Sequence, residues 1–162
     1  MNHSQYEAYF KDEIAAKCPE IAHTEVSKRF SLMTIEEVFA AVATDLKMSN
    51  FCLVLDRYEG QLTLQNIDNP HKNIRGAFQV LKRWDNDRKT KAALLDEAER
   101  IGMKIITKML HDAAQRLFFK NLEYSDVPMI EVGPILDNCF GVRFEFMLYE
   151  QQNLVYQPSE WL

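Results

Sequence analysis

Between Asn50 and Tyr149 the hydrophobic residues change period twice, and that order of periods constrains the fold more than any residue cluster does. Phe51-Cys52-Leu53-Val54-Leu55 is nearly continuously apolar, as a strand covered on both faces requires. Leu62 and Leu64 alternate with polar neighbours. After Asn69-Pro70 a further run carries Phe78, Val80 and Trp84 on one face and Gln79, Leu81 and Arg83 on the other. With Glu59-Gly60 as a turn, these runs read as an antiparallel meander. From Thr90 the period becomes helical: Leu94, Ala98, Ile101, Ile105, Met109 and Ala113 share one face of a helix about 25 to 30 residues long, well above the usual length. Met129-Ile130-Glu131-Val132, a turn at Asp137-Asn138 and a strictly alternating last run then form a strand pair. In that run Val142, Phe144, Phe146 and Leu148 face the core, and Arg143, Glu145, Met147 and Tyr149 face away from it.

Two shorter helical stretches precede this pattern. Ser4 and Glu7 have the spacing of a capping box, and Tyr6, Tyr9, Phe10 and Ile14 recur at helical spacing until Cys18-Pro19 stops them. Thr34 and Glu37 repeat the capping spacing ahead of Ile35, Val38, Phe39, Val42 and Leu46. Asp85-Asn86-Asp87-Arg88 breaks the third strand, and Asp87 or a neighbour caps the long helix. Gly102 inside that helix admits two readings, a close backbone contact or a tolerated glycine that costs about 1 kcal/mol against alanine. The expected class is therefore α+β: an antiparallel sheet of about five strands, a three-strand meander plus a closing strand pair, packed against one long helix and shorter N-terminal helices. Residues 1–162 read as one domain, with an N-terminal helix and connecting arm over 1–33 and a C-terminal tail over 151–162.

Composition narrows the function classes. With 47% hydrophobic and 27% charged residues, the chain is that of a folded globular protein rather than a disordered one. A net charge of −5 argues against a protein whose main task is wrapping nucleic acid, which needs a clear Lys/Arg excess on one face. The basic clusters at 72–75, Lys82-Arg83 and Arg88-Lys89-Lys91 are interrupted by Asp or Asn and read as solvated surface. No apolar run is long enough to span a membrane, and the first residues lack the order of a secretory signal. Cys18, Cys52 and Cys139 are odd in number and far apart, as expected of reduced cysteines made in a cytoplasm.

No set of residues carries recognisable chemistry. His3, His23, His71 and His111 show no spacing that would place two imidazoles on one metal. His111-Asp112 are adjacent on a helix and point apart, so His111 reads as a surface residue. Asp85-Asn86-Asp87 resembles the opening of a calcium loop, but Thr90 and Asp96 stand where that loop needs Gly and Glu. There is no phosphate loop or nucleophile elbow, and Asp56, Glu59 and Asp68 flank hairpin turns, where carboxylates are usually only soluble loop residues. The expectation is thus no enzyme, no catalytic residue, no cofactor and no metal. Aromatic residues are different, because at strand ends and in a tail they serve as interface anchors. Trp84 reads as closing the core, and Trp161 either folds back on its own domain or reaches a neighbour.

The order of elements, carried by segments 51–55, 62–65, 76–84, 91–118 and 141–150, resembles the tail terminator or tail-completion proteins of tailed bacteriophages and related neck and head-tail joining proteins. The likeness spans residues 51–150, roughly two thirds of the chain, and is one of layout. The segment up to Met33 and the residues after Gln151 extend beyond the family's minimal fold.

The resemblance implies a structural subunit of a phage tail or phage-like contractile particle, assembled in the bacterial cytoplasm. Such subunits form rings, typically hexamers, that cap the tail tube and join it to the neck or sheath, with DNA only as passing cargo. Trp161, Tyr156, Arg143, Glu145 and Tyr149 are the candidate subunit contacts. The alternative is a small cytoplasmic binding or adaptor domain without catalytic activity.

Overall fold

The computed structural model describes residues 1–34, 36–37, 45–64, 70–85, 88–117, 121–122, 126–152, 154 and 159. Along them the chain forms α1 (His3–Ala8), a π-helical continuation (Tyr9–Ala15), β1 (Phe30–Met33), β2 (Cys52–Asp56), β3 (Glu59–Thr63) and β4 (His71–Arg83). The long helix α2 (Arg88–Ala114), β5 (Asn121–Leu122), β6 (Met129–Ile135) and β7 (Cys139–Gln151) follow. The class is α+β, as the hydrophobic periods imply.

Two 13-residue strands, β4 and β7, form the spine of the sheet and pair antiparallel from His71↔Gln151 to Arg83↔Cys139. Shorter strands flank them, in the order β1-β2-β4-β7-β5, with β3 also on β4 and β6 also on β7. The detail departs from a simple meander. β2 and β3 lie end to end on the same edge of β4, and between Leu55↔Phe78 and Glu59↔Arg75 the flanking strand holds one residue more than β4. Glu59-Gly60 therefore belongs to a strand resuming after a bulge, not to a turn. β1, within the expected connecting arm, pairs parallel to β2 and makes the sheet mixed.

One face of the sheet carries the main core. Tyr6, Tyr9, Phe10 and Ile14 pack there with Ala98, Ile101, Ile105 and Met109 of α2 against Leu53, Leu55, Phe78, Val80, Val142, Phe144, Phe146 and Leu148. Both expected stripes are thus buried together, apart from Leu94, which is only half-buried. Gly102 resolves to the close contact: a Cβ there would stand 1.9 Å from the Phe144 ring, so the missing side chain lets α2 settle onto β7. On the opposite face Cys52, Val54, Leu81, Leu136 and Cys139 form a smaller cluster, which is why all of β2 is buried. The three cysteines are free and buried.

The first helix starts two residues earlier than the Ser4 spacing suggests. Asn2 accepts from the Gln5 N–H at 2.9 Å while the Gln5 side chain accepts from the Asn2 N–H at 3.0 Å, so an Asn/Gln pair fills the role assigned to Ser4 and Glu7. At Thr34 the expected box is present: Glu37 accepts from the Thr34 N–H at 2.7 Å, and Thr34 accepts from the Glu37 N–H at 3.2 Å. Ile35, Val38, Phe39 and Val42 of that stretch lie outside the described residues, as does Asp87. Trp84 is half-buried, its ring edge-on to Phe140 at 5.6 Å.

Candidate functional site

The alternation of β7 that buries Phe144 turns Arg143 and Glu145 to the sheet face opposite α2. Register then brings polar partners to them. Gln79 is directly opposite Arg143, and Asp56 ends β2 on the far side of β4. The Arg143 guanidinium donates to the Asp56 carboxylate through Nη1 and to Glu145 Oε1 through Nε at 3.0 Å. Gln79 Nε2 donates to the other Asp56 oxygen at 3.2 Å. Three neighbouring strands are thus joined by one hydrogen-bonded charge network.

Burial sets its electrostatics. Asp56 is 6% exposed and Gln79 2%. Burial pushes the Asp56 carboxyl above its ordinary value, and the hydrogen bonds and charge of Arg143 draw it only part of the way back. Burial works against the charged Arg143 as well, but its hydrogen bonds to Asp56 and Glu145 outweigh that and leave the guanidinium more firmly protonated. A buried pair of this kind contributes little net stability against an apolar replacement, yet losing one member is costly.

The network forms one wall of a recess of about 440 Å³, whose rim carries Glu36, Arg57, Glu59 and Arg75. Among the described residues the lining contains no Ser, Cys or His, and its Thr34 hydroxyl is taken by the cap of Glu37. Asp56, the most deeply set carboxylate, is held from both oxygens. This arrangement can orient a charged group of a partner, and among the described residues its lining offers no pair of a free nucleophile and a free base. Among the described residues no group of three or more His, Cys, Asp or Glu side chains converges on a metal-sized space.

Of the expected contact residues, Arg143 and Glu145 stand together in this recess. Tyr149 lies further along β7, stacked on His71 with ring centroids 4.3 Å apart. Tyr156 and Trp161 lie outside the described residues. Asp56 is a correction, since it closes a buried strand rather than a soluble turn, and Glu59 sits exposed within β3. Asp68 is outside the described residues. The signal for Asp56 and Gln79 was a polar residue placed directly against an apolar run, which a buried strand tolerates only with a partner.

The sheet's outer edge on the β7 side is formed in part by β6, where Met129 and Ile130 are 49% and 45% exposed. Exposed apolar residues on an edge strand are a template for another chain. His111 is exposed, while its neighbour Asp112 is buried and accepts from Tyr9 at 2.9 Å and from Lys108. No helix among the described residues is long and apolar enough to cross a membrane. Comparison with family models, curated proteins and solved structures finds no match.

Proposed function

We propose that the chain is a non-enzymatic structural subunit of a phage tail or phage-like contractile particle, forming a terminator-type ring that caps the tail tube and joins it to the neck or sheath. The observation that carries this reading is a sheet whose outer strands have no further strand partner among the described residues. β1 and β3 edge one side, and β6 with its exposed Met129 and Ile130 edges the other. Pairing one edge with the opposite edge of the next copy is a heterologous contact, and such contacts close into rings when the rotation allows. The order of elements supports the same reading, as does a net charge of −5, which keeps a conduit from gripping DNA.

Light scattering and negative-stain images of the purified chain test it. Rings are expected, alone or once tube protein is added. A strict monomer that ignores tube protein would overturn the proposal. The charged recess beside Arg143 favours a second reading, a small binding or adaptor domain that works as a monomer or dimer. That reading gains if the chain stays monomeric and captures a partner through Arg57 and Arg75.

A further inference from the structure

A second recess, of about 420 Å³, opens on the other side of Arg57, between the N-terminal helix and edge strand β1. His23 lines it and is buried, its ring tilted against Phe30 at 6.0 Å. The Arg29 backbone N–H donates to His23 Nδ1 at 3.0 Å, so that nitrogen is an acceptor and the proton of the neutral ring sits on Nε2. Nε2 is itself buried and has no hydrogen-bond partner among the described residues. A buried N–H without an acceptor is costly, so such a group is a reason to ask what ligand completes it.

The surroundings point to the ligand's charge. Lys11, Lys28 and Arg57 line the recess against two carboxylates, Glu7 and Glu25. Glu25 is already occupied by Lys11 at 2.8 Å and Lys28 is held by Asp45 at 3.0 Å, whereas Arg57 makes no ion pair with any described residue. Phe30 and Leu32 add apolar surface that strengthens the local field. Burial first, and the Lys11 charge second, hold the His23 pKa below its ordinary value, which keeps the ring in the single-donor form that the Arg29 contact requires.

We infer that this recess is an oxyanion site, in which a carboxylate or phosphate group accepts from His23 Nε2–H and is held by the Arg57 guanidinium. The recess borders the β1 edge that the proposed ring would pair, so the unassembled chain is the form in which the site is read. An anion beside the ring also favours imidazolium, so occupancy raises the His23 pKa.

The test is a titration of the ¹⁵N-labelled full-length chain with inorganic phosphate and, separately, with succinate at constant ionic strength, following the His23 ring nitrogens. A saturable shift of the His23 signals, with an upward move of their pH midpoint, is expected from at least one probe. Phosphate alone identifies a tetrahedral ligand, and succinate alone a carboxylate. Arg57→Gln, a change on an exposed side chain, weakens the response about tenfold. Absence of a saturable His23 shift with both probes overturns the proposal, as does an unchanged response in Arg57→Gln.

Discussion

Removing the Asp56 carboxylate leaves the Arg143 guanidinium, whose side chain is only 14% exposed, with Glu145 as its one remaining anion among the described residues. Breaking a buried pair costs about 3–5 kcal/mol, and the surviving Glu145 contact lowers the expectation for Asp56→Ala to about 2–4 kcal/mol. Urea denaturation checks this, with Glu145→Gln as the comparison, expected to cost under about 1 kcal/mol because that carboxylate is partly solvated. Gly102 supplies the complementary case. Gly102→Ala gains about 1 kcal/mol of helix propensity, but its Cβ meets the Phe144 ring, and overpacking of this kind costs about 1–3 kcal/mol. A net loss is therefore expected, and Phe144→Leu in the same chain is expected to reduce the penalty of adding the methyl group. If Gly102→Ala raised the melting temperature, α2 would not sit against β7 as described.

At the scale of elements, one carboxylate fastens the segment after the π-helical turn to α2. Glu20 accepts from Lys104 and from Arg100, both at 2.9 Å, and these two hydrogen bonds pull its pKa from an ordinary 4.5 to about 2. A depressed carboxylate stabilises the fold above its unfolded pKa, and that stability is lost as pH falls from about 4.5 toward about 2. Asp56, raised by burial, acts in the opposite sense, because its folded form takes up a proton more readily than the unfolded chain. Glu20→Gln is therefore expected to lower stability at neutral pH and to flatten its decline in acid. Melting temperatures of both proteins across that range measure it, and identical slopes would remove Glu20 from the account.

The same scale explains what the amino-acid order could and could not disclose. α2 and β7 were legible because their buried residues repeat at 3.6 and 2, periods fixed by backbone geometry and independent of neighbours. β1 has four residues and owes its existence to a parallel partner at Leu53–Asp56 positions of β2, a nonlocal pairing that leaves no period of its own. The bulge joining β2 to β3 looks like a turn in sequence because glycine serves both. Arg143 and Glu145 were visible as the polar half of an alternating strand, whereas their partners Asp56 and Gln79 depend on register across β4. His23 shows nothing locally, since only the fold places Arg29's N–H against one nitrogen and leaves the other without an acceptor.

For the whole molecule, the proposed ring makes the two sheet edges do the work of assembly, and it can be challenged without disturbing the core. Met129 and Ile130 are about half exposed on β6, so charging them removes little buried apolar area from the monomer. Met129→Glu with Ile130→Lys is expected to leave the melting temperature of the monomer nearly unchanged. Charged side chains on an edge strand oppose further pairing, so ring formation is expected to weaken about tenfold or more, read by sedimentation velocity over a concentration series. Trp161→Ala tests the tail as a second contact and is expected to weaken assembly while leaving the far-ultraviolet spectrum intact. Unaltered rings from the charged β6 variant would show that the subunits meet through another surface. A variant that assembles normally without Trp161 would return that residue to its own domain, leaving the strand edges to carry the ring alone.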